Sequence, residues 1–112
     1  MSEPEREVPE GAAVLPLIPP ELGIQPLLLA TLHALIFFEG SEESVVHPAA
    51  ADEALEYLVT YLQRLDGADL TRTREDLACL LALAQREQWP KVQVRFLKTL
   101  LDEYGIGRPN EA

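Results

Sequence analysis

The stretch Pro26 to Gly40, PLLLATLHALIFFEG, decides the fold of this chain. It is a nearly unbroken apolar run that contains one histidine, His33, and no charged residue before Glu39. Proline suits the first position of a helix and glycine suits its end, so the run predicts a helix over residues 26–39 that Gly40 closes in a left-handed conformation. A helix that is apolar on every side belongs in a core.

The same run is too short to cross a membrane. From Pro26 to Phe38 a helix is about 20 Å long, whereas the hydrocarbon core of a bilayer is about 30 Å thick. We therefore expect a buried helix and no membrane partner.

Three further segments have the apolar periodicity of amphipathic helices. They are predicted at residues 48–66, 70–88 and 90–104. No stretch alternates strictly between apolar and polar residues, so no strand is expected. The sequence therefore predicts an all-α domain, a four-helix antiparallel bundle or a closely related fold.

Local signals place the ends of these helices. Gly67 is expected to end the second helix, and Asp69 or Thr73 to cap the start of the third. Gly105 is expected to end the fourth helix as a left-handed residue, with Ile106 packing back on that helix.

The helices lie within one predicted domain, residues 13–107. Residues 1–12 are acidic and aperiodic, which predicts a disordered tail, and residues 108–112 are read as a flexible C-terminus. Residues 14–23, VLPLIPPELG, combine three prolines with apolar side chains. This pattern predicts an extended strap that packs on the domain.

Size and cysteine content favour a cytoplasmic protein. The chain has 112 residues, which is enough for one core without disulfide bonds. Cys79 is its single cysteine and cannot pair within the chain. The acidic N-terminus has no apolar segment of the kind found in secretory signals.

The charge of the chain is negative and unevenly distributed. There are 19 acidic and 9 basic residues, which gives a net charge of −10. Residues 1–57 contain 11 acids and only Arg6, whereas residues 58–112 are neutral overall. A negative field repels phosphate backbones, so nucleic acid is not an expected partner.

No pattern typical of a catalytic, cofactor or metal site is present in the sequence. A bundle di-metal site needs a glutamate three residues before each histidine, but Ala30 precedes His33 and Ser44 precedes His47 at that spacing. Cys79 has no basic residue three or four positions away. No metal, cofactor or catalytic residue is therefore predicted.

Two surfaces are candidate interfaces. The first helix has apolar residues on opposite sides, so it needs a second cover, which is the strap, a ligand or a second copy of the chain. We expect a homodimer with this helix near a two-fold axis. The interface candidates on the first helix are Leu28, Leu32, Leu35 and Phe38.

The fourth helix provides the second candidate. Lys91, Arg95 and Lys98 fall within about 60° of one another around the helix axis, opposite its apolar face. The stripe is either a solvated face or a patch for an acidic protein partner, including the acidic half of a second copy. Trp89, at the preceding corner, is an interface candidate if it is exposed.

The sequence favours a small cytoplasmic, non-enzymatic interaction or regulatory subunit that is homodimeric through its first helix. The alternative is a small-molecule or metal-binding helical protein, or a small enzyme, with a pocket around His33 between the first helix and the others.

Overall fold

The structure is a computed structural model that describes residues 8–107. Within this range the chain forms four α-helices and no strand, which confirms the predicted all-α, bundle-like fold. Residues 1–7 of the predicted tail and the predicted flexible residues 108–112 lie outside the described residues. The helices are α1 (Pro26–Gly40), α2 (Pro48–Leu62), α3 (Gly67–Arg86) and α4 (Lys91–Glu103), and a short 3-10 helix, Pro20–Leu22, precedes them.

The helices form two hairpins around one core. Along the chain, α1 packs on α2 and α3 packs on α4. Leu32 and Leu35 of α1 and Leu80 of α3 are fully buried. The core also contains Leu15, Ile18, Ile24, Ile36, Leu77, Leu83, Ala84, Trp89, Leu97, Leu100 and Ile106.

The turn between the hairpins differs from the prediction. α2 ends at Leu62, four residues early, and the chain then turns through hydrogen bonds such as Leu65 N to Leu62 O. Gly67, with φ +53°, opens α3 instead of closing α2. Neither Asp69 nor Thr73 caps the start of α3. Asp69 lies in the first turn of the helix, and the Thr73 hydroxyl donates to the Asp69 carbonyl within the helix.

Gly40 has a different role from the predicted one. It is the last residue of α1 and is not left-handed, and Ser41 after it is extended. A Cβ on Gly40 would lie 2.9 Å from the Cβ of Ala13. Glycine is therefore needed so that the N-terminal segment can approach α1 closely, and the Ala13 amide donates to the Ser41 hydroxyl there.

Residues 9–12 form a turn, so ordered structure begins before the predicted domain boundary at residue 13. The Ala12 amide donates to the Pro9 carbonyl, and the Glu42 amide donates to the Gly11 carbonyl at 2.8 Å. From this turn the chain runs to α1 with Leu15 and Ile18 buried in the core.

The predicted end of α4 is confirmed. Gly105 has φ +70°, its amide donates to the Asp102 carbonyl, and the Ile106 amide donates to the Leu101 carbonyl at 2.8 Å. These two bonds define the left-handed glycine cap. Ile106 is buried in the core.

α3 ends in the same motif, but without a glycine. Gln88 has φ +57°, its amide donates to the Gln85 carbonyl, and the Trp89 amide donates to the Ala84 carbonyl at 3.0 Å. The motif turns Trp89 into the core, where only 8% of its surface is exposed. Burial of a large aromatic side chain stabilises the fold enough to offset the left-handed conformation of Gln88.

A buried carboxylate joins the start of α1 to α3. Asp76 accepts hydrogen bonds from the Gln25 amide at 3.1 Å and from Arg72 Nε at 3.1 and 3.2 Å. Arg72 Nη2 also donates to the Gly23 carbonyl at 2.9 Å. Gln25 is the N-cap residue of α1, and its backbone amide has no acceptor within the helix, so Asp76 supplies that acceptor from another helix. We call Gly23, Gln25, Arg72 and Asp76 the Asp76 clamp.

The clamp should contribute strongly to stability. We expect Asp76→Ala to lower the free energy of unfolding by about 2 to 3 kcal/mol, because it leaves Arg72 and the Gln25 amide without their acceptor. Urea denaturation of the variant measures this loss. Glu75→Ala, which changes an exposed neighbour on the same helix, is the control and should change stability by less than about 0.5 kcal/mol. Equal losses in both variants would contradict a specific role of the clamp.

The left-handed Gln88 predicts a stabilising substitution. Gln88→Gly should raise the free energy of unfolding by about 0.5 to 1 kcal/mol, because glycine adopts this conformation without a Cβ clash. Thermal unfolding should show a Tm higher by a few degrees. The matched control is Gln85→Gly, at an exposed position inside α3, which should lower the Tm because glycine weakens a helix interior. A fall in Tm for Gln88→Gly would contradict the assigned conformation.

Candidate interaction surfaces

The side of α1 away from the core carries an open apolar groove of about 380 Å³. Its walls are Ala13, Val14, His33, Ala34, Phe37 and Phe38. The rings of Phe37 and Phe38 meet edge to face, with centroids 5.7 Å apart. The N-terminal segment forms one wall because Gly40 allows it to pass close to α1. We call this surface the α1 groove.

His33 is the only polar side chain in the wall of the α1 groove. It is half-buried, and no hydrogen bond to its ring is formed by any residue from 8 to 107. The groove opens on the outer side of α1, between the helix and the N-terminal segment. His33 therefore lines a groove, but this groove lies on the outer side of α1 and not, as predicted, between α1 and the other helices.

The four predicted interface residues of α1 lie in different environments. Leu32 and Leu35 are fully buried in the core of the single chain and present no surface to a partner. Leu28 is half-buried and packs against the core. Phe38 lines the α1 groove. The helix thus contacts the core through Leu32 and Leu35, whereas Phe37 and Phe38 line the groove on its outer side.

Trp89 closes the corner between α3 and α4 and belongs to the core. Its indole Nε1 donates to Glu87 Oε1 at 3.3 Å. Trp89 was an interface candidate only if its side chain was exposed. Because the side chain is buried, it does not anchor a partner.

The predicted basic stripe of Lys91, Arg95 and Lys98 is exposed along α4. Within residues 8–107 none of these cations pairs with a carboxylate, since the ion pair found there is Arg72–Asp76. Val92, beside the stripe, is 72% exposed. We call these cations the α4 stripe.

The outer face of α2 combines carboxylates with aromatic rings. Glu53 and Glu56 are exposed, and Tyr57 and Tyr61 are 59% and 61% exposed. The guanidinium of Arg64 lies over the Tyr61 ring, 4.8 Å from its centroid. This surface, the α2 face, was missed in the sequence as a binding candidate, although the spacing of its residues shows that they share one side of a helix.

Two other cavities lie between helices. One of about 320 Å³ lies beside the Asp76 clamp and is lined by residues that include Leu28, Leu62 and Asp69. The other, of about 220 Å³, lies between the end of α1 and α4. At its edge the Tyr104 hydroxyl donates to Glu39 Oε2 at 2.7 Å.

The described residues contain no group of three or more histidine, cysteine or acidic side chains arranged to hold a metal ion. Cys79 is half-buried and free. No helix in residues 8–107 is long and apolar enough to span a bilayer.

No protein family, curated protein or solved structure matches the chain significantly. The function is therefore proposed from the surfaces described above.

The bond between Tyr104 and Glu39 predicts a pH dependence. Burial, the hydrogen bond to Glu39 and the negative charge of Glu39 raise the pKa of Tyr104 above its ordinary value. The folded state thus favours the neutral phenol. Its stabilising effect is fully present below the pKa of unfolded tyrosine, about 10, and is lost as the pH rises through the folded-state value.

Ultraviolet titration of tyrosinate should therefore show a late ionisation step that disappears in Tyr104→Phe. In Glu39→Gln the step should move to lower pH but stay above the ordinary tyrosine pKa, because burial remains. An unchanged titration curve in Tyr104→Phe would contradict this assignment.

Proposed function

We propose that this protein is a small, non-enzymatic interaction or regulatory subunit that acts as a homodimer through the outer side of α1. The observation that carries the proposal is the α1 groove. Apart from His33, its walls are entirely apolar. Aromatic residues are enriched at protein interfaces, and clustered apolar side chains on a surface mark binding sites.

The occupant we propose is the same groove in a second copy. A two-fold axis beside α1 brings identical surfaces together, so each chain covers the phenylalanines of the other. A second copy also brings a charge that complements the first. Each chain has exposed carboxylates on the α2 face and exposed cations in the α4 stripe.

We further propose that the dimer is cytoplasmic. Its core is built from aliphatic side chains and Trp89 and requires no disulfide bond. Cys79, the single cysteine, remains a free thiol in this structure. A fold of this kind suits a reducing compartment.

The α1 groove also supports a second candidate function, the binding of a small apolar molecule. A volume of about 380 Å³ is within the range of small-molecule sites, and His33 provides one polar group for orientation. Such a ligand would compete with the second copy for the same surface. A thermal-shift screen of apolar metabolites tests this candidate, and an increase in Tm that Phe38→Glu abolishes would support it.

Analytical ultracentrifugation tests the dimer. The unaltered protein should sediment as a dimer at micromolar concentration, and Phe38→Glu should raise the dissociation constant by about tenfold or more, because it places a carboxylate in an apolar contact. Ala82→Glu adds the same charge to an exposed position of α3 and should leave the dissociation constant unchanged.

Circular dichroism of Phe38→Glu should show the helical content of the unaltered protein, since Phe38 lies outside the buried core. A monomer at all concentrations of the unaltered protein would rule out the proposed dimer.

A further inference from the structure

We infer that the α4 stripe of one copy docks on the α2 face of a second copy of this chain. The inference rests on the proposed self-association and names a pair of surfaces that hold the two copies together.

The two surfaces carry charges of opposite sign. The α2 face carries the exposed carboxylates Glu53 and Glu56, with Asp52 beside them, and its one cation, Arg64, follows the helix at the far end of the face. The α4 stripe contains three exposed cations that pair with no carboxylate in residues 8–107. Complementary charge of this kind selects a partner and fixes its orientation.

The apolar side chains of the two surfaces also match. The monomer leaves Tyr57, Tyr61 and Val92 largely in water. Tyrosine and arginine are the residues that interfaces favour, and an arginine stacks well on an aromatic face. The α2 face already shows this contact within one chain, where Arg64 lies over Tyr61. In the inferred dimer, the guanidinium of Arg95 of a second copy stacks on the ring of Tyr57 in the same way.

The basic set is the longer of the two. Lys91, Arg95 and Lys98 extend over about 10 Å of α4, and the carboxylates from Asp52 to Glu56 extend over about 6 Å of α2, so the acidic set fits within the length of the basic one. The last turn of α4 carries Glu103, which would repel carboxylates. The acidic first half of α2 therefore aligns with the basic first half of α4, and the two helices run parallel.

In a dimer with two-fold symmetry this contact forms twice, because α4 of each copy packs against α2 of the other. In the monomer the C-terminal ends of the two helices are already neighbours, because Gln63 Nε2 donates to the Tyr104 carbonyl at 2.7 Å. α2 and α4 of one chain thus meet at their C-terminal ends.

Charge reversal on each surface tests the pairing. Arg95→Glu/Lys98→Glu makes the α4 stripe acidic, and Glu53→Lys/Glu56→Lys makes the α2 face basic. All four residues are exposed, so both variants should fold. Each variant alone should self-associate about tenfold or more weakly than the unaltered protein, because both of its surfaces then carry the same sign. An equimolar mixture of the two should recover the original dissociation constant to within about threefold, because both pairings become attractive again.

The matched control is Arg74→Glu/Arg86→Glu, which makes the same change of charge at exposed positions of α3. Its dissociation constant should stay within about twofold of the original. Circular dichroism of every variant should show the original helical content.

Three results would overturn the inference. If the charge-reversed variants associate as tightly as the unaltered protein, or if the mixture stays monomeric, the two surfaces do not pair. If removal of residues 1–7 abolishes the effect of the α4 variant, the stripe binds that acidic segment instead. In each case the proposed function would still stand if the unaltered protein forms a dimer and Phe38→Glu disrupts it. A monomeric unaltered protein would contradict both the proposed function and this inference.

Discussion

The carboxylate of Asp76 determines how α1 sits in this fold. An amphipathic helix orients itself because only one of its sides is apolar, but α1 is apolar all round and has no such preference of its own. Asp76 resolves this by holding the Gln25 amide at the start of the helix, while Arg72 holds the Gly23 carbonyl. At the other end, Ala13 passes close to Gly40 and its amide donates to the Ser41 hydroxyl, which joins the N-terminal segment to the end of the helix. Together these joints direct Leu32 and Leu35 inward.

The α1 groove follows from the same joints. Once Leu32 and Leu35 face the core, Phe37 and Phe38 lie on the outer side of α1, where the cover provided by residues 8–107 is the N-terminal segment. That segment buries Leu15 and Ile18 but leaves Leu17 94% exposed, so it covers one side of α1 and leaves the other open. The apolar surface that remains is therefore a consequence of how the helix is anchored, and it provides the surface on which the proposed dimer depends.

The sequence predicts the parts of this structure that depend on neighbouring residues. An apolar run between a proline and a glycine predicts α1, periodicity predicts the other three helices, and Gly105 predicts the end of α4, because caps are local. The left-handed Gln88 was missed because glycine is the usual residue there and the burial of Trp89 depends on the whole core. The Asp76 clamp joins positions 51 residues apart, which no local pattern reveals. For the candidate site, the sequence predicts surplus apolar surface on α1 and includes Phe38, but it also includes Leu32 and Leu35, which are buried, since a uniformly apolar helix gives no direction.

The negative charge of the chain does not prevent two copies from meeting. A net charge of −10 repels at long range, but salt screens that repulsion beyond about 10 Å at 0.1 M ionic strength. Ion pairs at contact distance, partly removed from water, are screened much less. Because the inward side of α4 is apolar, its cations are confined to the outside, and the carboxylates of α2 are confined there for the same reason. Amphipathic folding thus places opposite charges on two exposed helices of a chain that is acidic overall, and in the proposed dimer their attraction at contact distance would be screened less than the long-range repulsion.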